Sequence, residues 1–354
     1  MNNEALKIVQ TDSREIIKNL GRRVEQFAGK TILITGANGV VGSYFAHTIA
    51  VLNDDKYLKK PIQCICLTRH KVSSKSRTGH LLKKPYMHFV TADVTKKFKL
   101  PFRPDYIIHS ASYASPKSYL AKPVETLEAN STGTKNLLDL ALKYQSKMMF
   151  ISTGSVYGDA KKGDTKFTEE HTGNVSPLDT RAVYSESKRF GETYCSIYAH
   201  FFNVQVTIAR LSNMFGPGFK LDDGRAIPDF FNQAFYKNKI EINGDPKTSR
   251  AYLYISDAIL GMWMVLDGKK GEAYNVSSEK EYKMIDIASE LSKLFKGCMV
   301  SIKKDAAKQY LKGSPVHAII SSKKLQKESS WRPRISLTEG LKRLQLWYKA
   351  EYSL

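Results

Sequence analysis

Apolar and β-branched residues crowd into short runs along the chain. The first, Thr31–Thr35 (TILIT), predicts a strand buried on both faces. Further runs at Ile62–Leu67, His88–Val90, Tyr106–His109, Met148–Ser152 and Val206–Arg210 read as strands of the same kind. Between them, apolar positions return at helical spacing over Gly42–Val51, Val124–Lys143 and Tyr184–His200. Strands alternating with helices predict right-handed crossovers and an α/β fold with a Rossmann-like, doubly wound parallel sheet. Residues 1–28 read as a polar leader with one helix over Ser13–Gln26. Past about Leu211 the rhythm changes. Gly, Pro and Asp cluster in Phe215–Pro228, and short strands follow at Lys239–Ile242, Tyr252–Ile255, Ala273–Val276 and Met299–Ile302. Helical spacing resumes at Ile285–Phe295 and Leu337–Trp347, the latter opened by Ser336 and Glu339 at capping-box spacing. The expected organisation is a leader (1–28), a doubly wound domain over 29–211 to which 250–270 returns, and a smaller α+β domain from 212–249 and 271–354.

Composition supports a globular chain. Its 354 residues are 42% hydrophobic and 25% charged, and at roughly 150 residues per domain the length suits two domains. No apolar run approaches the ~18–20 residues of a membrane span, and Met1–Gln10 lacks the order of a secretory signal. The cysteines Cys64, Cys66, Cys195 and Cys298 are too few for a disulfide scaffold. The histidines, from His47 to His317, show no paired metal-ligand spacing, so no metal is expected. Lys+Arg of 55 against Asp+Glu of 34 leaves a net charge of +21. Its densest cluster, Arg69–Lys84, is interleaved with Ser, Gly and His and reads as a polar loop, with no nucleic-acid motif. The expectation is a soluble cytoplasmic protein with neither a nucleic-acid nor a membrane partner.

Candidate chemistry gathers at three places. Thr35-Gly36-Ala37-Asn38-Gly39-Val40-Val41-Gly42 follows the first strand and opens a helix. Glycines there allow a tight turn, close approach to a pyrophosphate, and helix–sheet packing, while the helix N-terminus offers N–H groups to an anion. Tyr184 and Lys188, four apart on a helix, share one face, and a nearby ammonium would favour phenolate and make Tyr184 a general base. Thr153 stands just past a buried strand, at the carboxyl edge where open α/β sheets bind ligands.

These motifs together resemble the extended short-chain dehydrogenases/reductases, the NAD-dependent nucleotide-sugar epimerases and dehydratases. The resemblance spans about Lys30 to Tyr348. It rests on TGANGVVG (35–42), Asp93-Val94, HSAS (109–112), STGSVYG (152–158), YSESK (184–188), RLSNMFGPG (210–218) and SRAYLYISD (249–257). The stretches around Ala114–Leu138, Arg210–Arg225 and Ser249–Asp257 look most like UDP-glucuronate decarboxylases. The resemblance implies that Gly36, Asn38, Gly39, Val40 and Gly42 form the cofactor turn, with Asp93 and Val94 beside the adenine. It implies that Ala111 and Ser112 line the nicotinamide side, and that Thr153 and Tyr184 bind the sugar O4. Tyr184 would then be the base, Lys188 would hold the nicotinamide ribose, and Ser155, Asn213, Arg225 and Arg250 would face a nucleoside-diphosphate sugar. A homodimer built on helices Val124–Lys143 and Tyr184–His200 is also implied, as is a 4-keto intermediate.

Two departures from the family pattern bear on the reaction and the cofactor. The 4,6-dehydratases carry Asp-Glu directly after the catalytic Thr, and the decarboxylases usually carry Glu at the second of these positions. Here they are Gly154 and Ser155, a non-acidic pair of the kind 4-epimerases show. Local chemistry thus favours a 4-epimerase, while overall similarity keeps a decarboxylase or a dehydratase open. A net oxidoreductase and a non-catalytic, dinucleotide-sensing or RNA-binding relative remain further alternatives. NAD users also normally place Asp or Glu after the second strand, whereas this chain has Thr68-Arg69-His70. The family habit favours NAD, and Arg69 leaves NADP open.

Overall fold

A computed structural model describes residues 1–160, 165–303 and 319–354; His317 lies outside them. In chain order the first half runs α1 (Asn3–Leu20), β1 (Thr31–Thr35), α2 (Val40–Asp54), β2 (Gln63–Thr68), β3 (Met87–Thr91) and β4 (Tyr106–His109). It continues through α3 (Pro116–Ala121), α4 (Pro123–Asn130), α5 (Thr132–Tyr144), β5 (Lys147–Thr153), β6 (Lys166–Phe167) and α6 (Val183–Phe201). The second half has β7 (Val206–Leu211), β8 (Asn213–Phe215), α7 (Ala226–Lys237), β9 (Lys239–Ile242), β10 (Ser249–Tyr254) and α8 (Ile255–Leu266). After these come β11 (Ala273–Val276), β12 (Glu281–Lys283), α9 (Met284–Ser292), β13 (Met299–Ile302) and β14 (Ile319–Ile320). Helices α10 (Lys323–Ser329) and α11 (Leu337–Tyr352) close the chain.

Seven strands form one parallel sheet in the order β11-β7-β5-β4-β1-β2-β3. Helices cover both faces, which is why the strands read as continuous apolar runs. The strand order reverses between β1 and β4, and their ends Thr35 and His109 lie side by side at the head of the crevice. His109 is buried there, with Nδ1 2.9 Å from the Thr35 hydroxyl and Nε2 3.1 Å from that of Thr134. Burial pulls the imidazole down to about 3, so it is neutral and holds the strand ends in place.

Several elements differ from the sequence expectation. The leader is helical over Asn3–Leu20 rather than Ser13–Gln26, and it is no appendage. Ala5, Val9, Ile16, Ile17 and Leu20 pack into the core against α2, α8 and α11. Asp12 on the same face is wholly buried, taking hydrogen bonds from Tyr44 (2.9 Å), Tyr254 (3.0 Å) and Arg343 (3.0 Å). The single helix expected over Val124–Lys143 breaks at Ser131. There the Ser131 and Thr134 hydroxyls bond back to the carbonyls of Leu127 and Asn130, competing with the helix ladder. Ala273–Val276, expected in the smaller domain, is instead the edge strand of the main sheet beside β7.

Candidate active site

The glycine turn between β1 and α2 is shaped by crowding. Gly36 has φ +64°, and a Cβ there would lie 2.9 Å from the Ala111 Cα. A Cβ on Gly42 would come within 2.4 Å of the Gly36 carbonyl oxygen, and one on Gly39 within 3.1 Å of the same atom. Gly39 is the N-cap of α2, and no side chain caps that terminus, so its first N–H groups are left to an anion. Asn38, by contrast, faces the loop that follows β2. Its side-chain oxygen accepts from the Thr78 N–H and hydroxyl, and its carbonyl accepts from Arg77 at 3.3 Å. Val40 begins the helix as expected.

Opposite the turn, the Ala111 N–H donates to the Thr35 hydroxyl at 3.2 Å, fixing the 110–113 segment on the end of β1. The Ser112 and Tyr113 hydroxyls are buried without a partner. Orphaned polar atoms beside an uncapped helix N-terminus fit a bound dinucleotide, which would satisfy both. Asp93 accepts from the Thr95 N–H (2.9 Å) and hydroxyl (2.8 Å). Partial burial works to raise that carboxyl, but the Thr95 donors and nearby Arg69 hold it below its ordinary value. Val94 lies buried against Gly133, and its carbonyl accepts from Asn136. Arg69 extends exposed from the end of β2, its guanidinium 4.8 Å over the Tyr113 ring.

Thr153 comes from the end of β5 and lies near Tyr184, from the first turn of α6. The nearby Thr153 hydroxyl works to lower the phenol's pKa. Lys188, on the same helix, is turned inward. Its Nζ is buried, donates to the Ile151 carbonyl at 2.6 Å and rides 4.6 Å over the Phe150 ring. Burial pulls the ammonium down to about 7, against the pull of Glu192 one turn on. The Tyr184 phenol is pushed up to about 12 by burial, and the cation that opposes this shift is Arg225. Arg225 is thus a cation that works to lower the phenol's pKa.

A cleft of about 410 Å³ brings together Thr153, Gly154, Ser155, Asn213 and Tyr119. Ser155 is exposed to it and accepts from the Thr153 hydroxyl at 3.2 Å. Gly154 is covered, since a Cβ there would lie 2.1 Å from Ile320 Cδ1. Arg225 and Arg250 stand outside the lining of this cleft. Arg225 pairs with Asp223 at 2.7 Å and donates to the Ala114 carbonyl at 2.8 Å, whereas Arg250 donates to the Ser249 carbonyl and faces Tyr282 across the β10–β12 ladder.

Two residues escaped the sequence reading. Tyr119 stacks on Tyr184 with centroids 5.3 Å apart and rings 8° from parallel. Arg77, from the basic loop, is mostly buried and joins the Asn38 carbonyl to the Gly218 carbonyl (2.6 Å), tying the glycine turn to the loop after β8. Only its place in the Arg69–Lys84 cluster marked it, and a charge cluster does not say which member turns inward.

Comparison with known proteins agrees with this geometry. The model of the NAD-dependent epimerase/dehydratase family matches residues 32–277. UDP-glucuronic acid decarboxylase 1 of Arabidopsis thaliana is 31% identical over 314 residues, 88% of this chain and 68% of the relative. An epimerase from Methanothermobacter thermautotrophicus superposes with a TM-score of 0.77 at 23% identity, over 98% of this chain and 96% of the other. UDP-glucuronic acid 4-epimerase from Bacillus cereus, in complex with UDP-glucuronic acid and NAD, gives 0.72 at 23% identity, over 90% and 99%. These two structures are alike in fold.

Proposed function

The chain belongs to the NAD-dependent epimerase/dehydratase family and is an enzyme of it, and we propose that it inverts C4 of a nucleoside-diphosphate sugar through a 4-keto intermediate. The observation that carries this reading is the approach of Thr153 to Tyr184 beside a cleft in which the two positions after Thr153, Gly154 and Ser155, hold no carboxylate. Tyr184 takes the O4 proton and Thr153 orients that oxygen. A nicotinamide dinucleotide, when bound, supplies the acceptor and donor of the C4 hydride. The cofactor turn and uncapped N-terminus of α2 would hold its pyrophosphate, with Ser112 toward the nicotinamide and Asp93 and Val94 toward the adenine. Lys188 would hold the ribose, exchanging its bond to Ile151 for one to the sugar hydroxyls.

Neither 154 nor 155, the positions where dehydratases carry their acids, holds a carboxylate, and a side chain at 154 would require the end of Ile320 to shift. Decarboxylation is the second reading, supported by the curated relatives named UDP-glucuronic acid decarboxylase. Ser155 tells against it, because an exposed hydroxyl replaces the acid. For the cofactor the family supports NAD, while the exposed Arg69 and the lack of a carboxylate at residues 67–72 support room for a 2′-phosphate. The proposed assembly is a homodimer through α4 and α6, which leave Val124, Leu127 and Phe190 exposed; the proposed compartment is the cytoplasm.

The test is incubation of the purified protein with UDP-, GDP-, CDP- and dTDP-sugars, read by mass and proton NMR. A product of unchanged mass with inverted C4 is expected. Loss of CO₂ from UDP-glucuronate would establish the decarboxylase reading instead, and net consumption of NAD(P)H would make the enzyme a reductase.

A further inference from the structure

The proposed base is covered. Tyr119 lies parallel to Tyr184, and it belongs to α3, a six-residue helix that buries no side chain. Core packing therefore does not hold α3 where it is. Besides its contacts with α4 and α6, it is tied to the loop before α7. Arg225 donates to the Ala114 carbonyl at 2.8 Å, and Lys117 approaches Asp222 at 3.9 Å with both side chains exposed. The exposed ion pair contributes little, which leaves Arg225 as the main tie between this segment and the loop before α7. Its other guanidinium arm is engaged with Asp223 and its face with Phe219. A guanidinium is also the side chain best matched to two phosphate oxygens. Binding a diphosphate would draw it from the Ala114 carbonyl, a neutral acceptor that cannot compete with phosphate charge.

We propose that Tyr119 and Arg225 together set specificity for diphosphate-linked sugars: Tyr119 covers the base, and its helix is released when Arg225 exchanges the Ala114 carbonyl for the diphosphate. This rests on the nucleotide-sugar reading of the site. A free sugar or a sugar monophosphate would lack the group that frees α3, and so would meet a covered Tyr184. Part of the diphosphate's binding energy would go into uncovering the base, which is how induced fit converts recognition of a remote group into selectivity at the reacting one.

The reporter is Tyr119→Trp, because Trp263, Trp331 and Trp347 are all buried in the core and give a constant background. UDP and dTDP, each against its monophosphate, are titrated while emission is followed, and binding is measured independently by calorimetry. The expected result is an emission change that saturates with the diphosphate and is absent with UMP and dTMP. Diphosphate binding with no emission change, or the same change with a monophosphate, overturns the inference and leaves the function intact. No binding of either diphosphate overturns both. A second measurement avoids the tryptophan. Tyr119→Ala, without nucleotide, should let tetranitromethane nitrate Tyr184 several-fold faster than in the wild type, located by peptide mass. Equal rates would show that Tyr119 covers nothing.

Discussion

At the scale of single residues, acidity is set by what each group faces rather than by its neighbours in sequence. Tyr184 and Lys188 share a helix face, as their spacing required, yet the flexible lysine stem carries Nζ to a backbone carbonyl. Spacing fixes the face of a helix, and no pattern reports where a four-carbon stem ends. Tyr184→Phe should lower turnover by about 10²–10⁴-fold, the range of general acid–base catalysis, while calorimetry still detects cofactor binding. Since Arg225 opposes the upward shift of the phenol, Arg225→Gln should push Tyr184 above its already raised value of about 12. A step that needs the phenolate then loses rate at low pH first. The acid limb of the pH profile of kcat/KM, which reports the free enzyme, should move to higher pH, and an unmoved limb would remove Arg225 from this role. Ser155→Glu should bring release of CO₂ from UDP-glucuronate, measured as bicarbonate, because the cleft is open at that position.

At the scale of elements, the buried strands were legible because a parallel sheet covered on both faces leaves continuous apolar runs. The first helix was placed ten residues too late because Asp12 and Ser13 interrupt its apolar stripe, although both lie on the buried face. Their justification is long-range: the donors to Asp12 come from Tyr44, Tyr254 and Arg343, which no local window contains. The break at Ser131 was hidden for a similar reason, since helical spacing of apolar residues passes through it. Burial raises Asp12 from 3.8 to about 7, against the pull of Tyr44 and Arg343. A carboxyl with a raised folded-state pKa binds protons more tightly in the folded chain. Its contribution is therefore full below pH 4 and is lost as pH rises from 4 to 7. Asp12→Asn keeps an acceptor for the tyrosines but cannot titrate, so its thermal midpoint should fall less steeply with pH across that window than the wild type's. Parallel slopes would contradict the burial argument. In the cofactor turn, Gly42→Ala places a methyl 2.4 Å from the Gly36 carbonyl. It should cost about 1–3 kcal/mol in urea unfolding, the usual cost of overpacking, and weaken dinucleotide binding as well.

At the scale of the whole molecule, the site is assembled from both halves of the chain. Thr153 comes from the doubly wound sheet and Tyr184 from a helix that packs on it, Asn213 and Arg225 from the segments after it, and Ile320 from near the end of the chain. The motifs around the sheet were legible because close backbone approach demands particular residues at particular spacings. The cover of Gly154 by Ile320 and of Tyr184 by Tyr119 was not, because each depends on how distant segments pack. On the proposed reading, these parts would together serve oxidation and re-reduction at a single sugar carbon, with the hydride acceptor and donor supplied by a bound nicotinamide dinucleotide. The most direct measurement uses UDP-glucose and UDP-glucuronate carrying deuterium at C4, with the product examined by NMR and mass. The account predicts inverted C4 with the deuterium still attached to it. Product that has lost the label to solvent, or label retained with C4 never inverted, would contradict it.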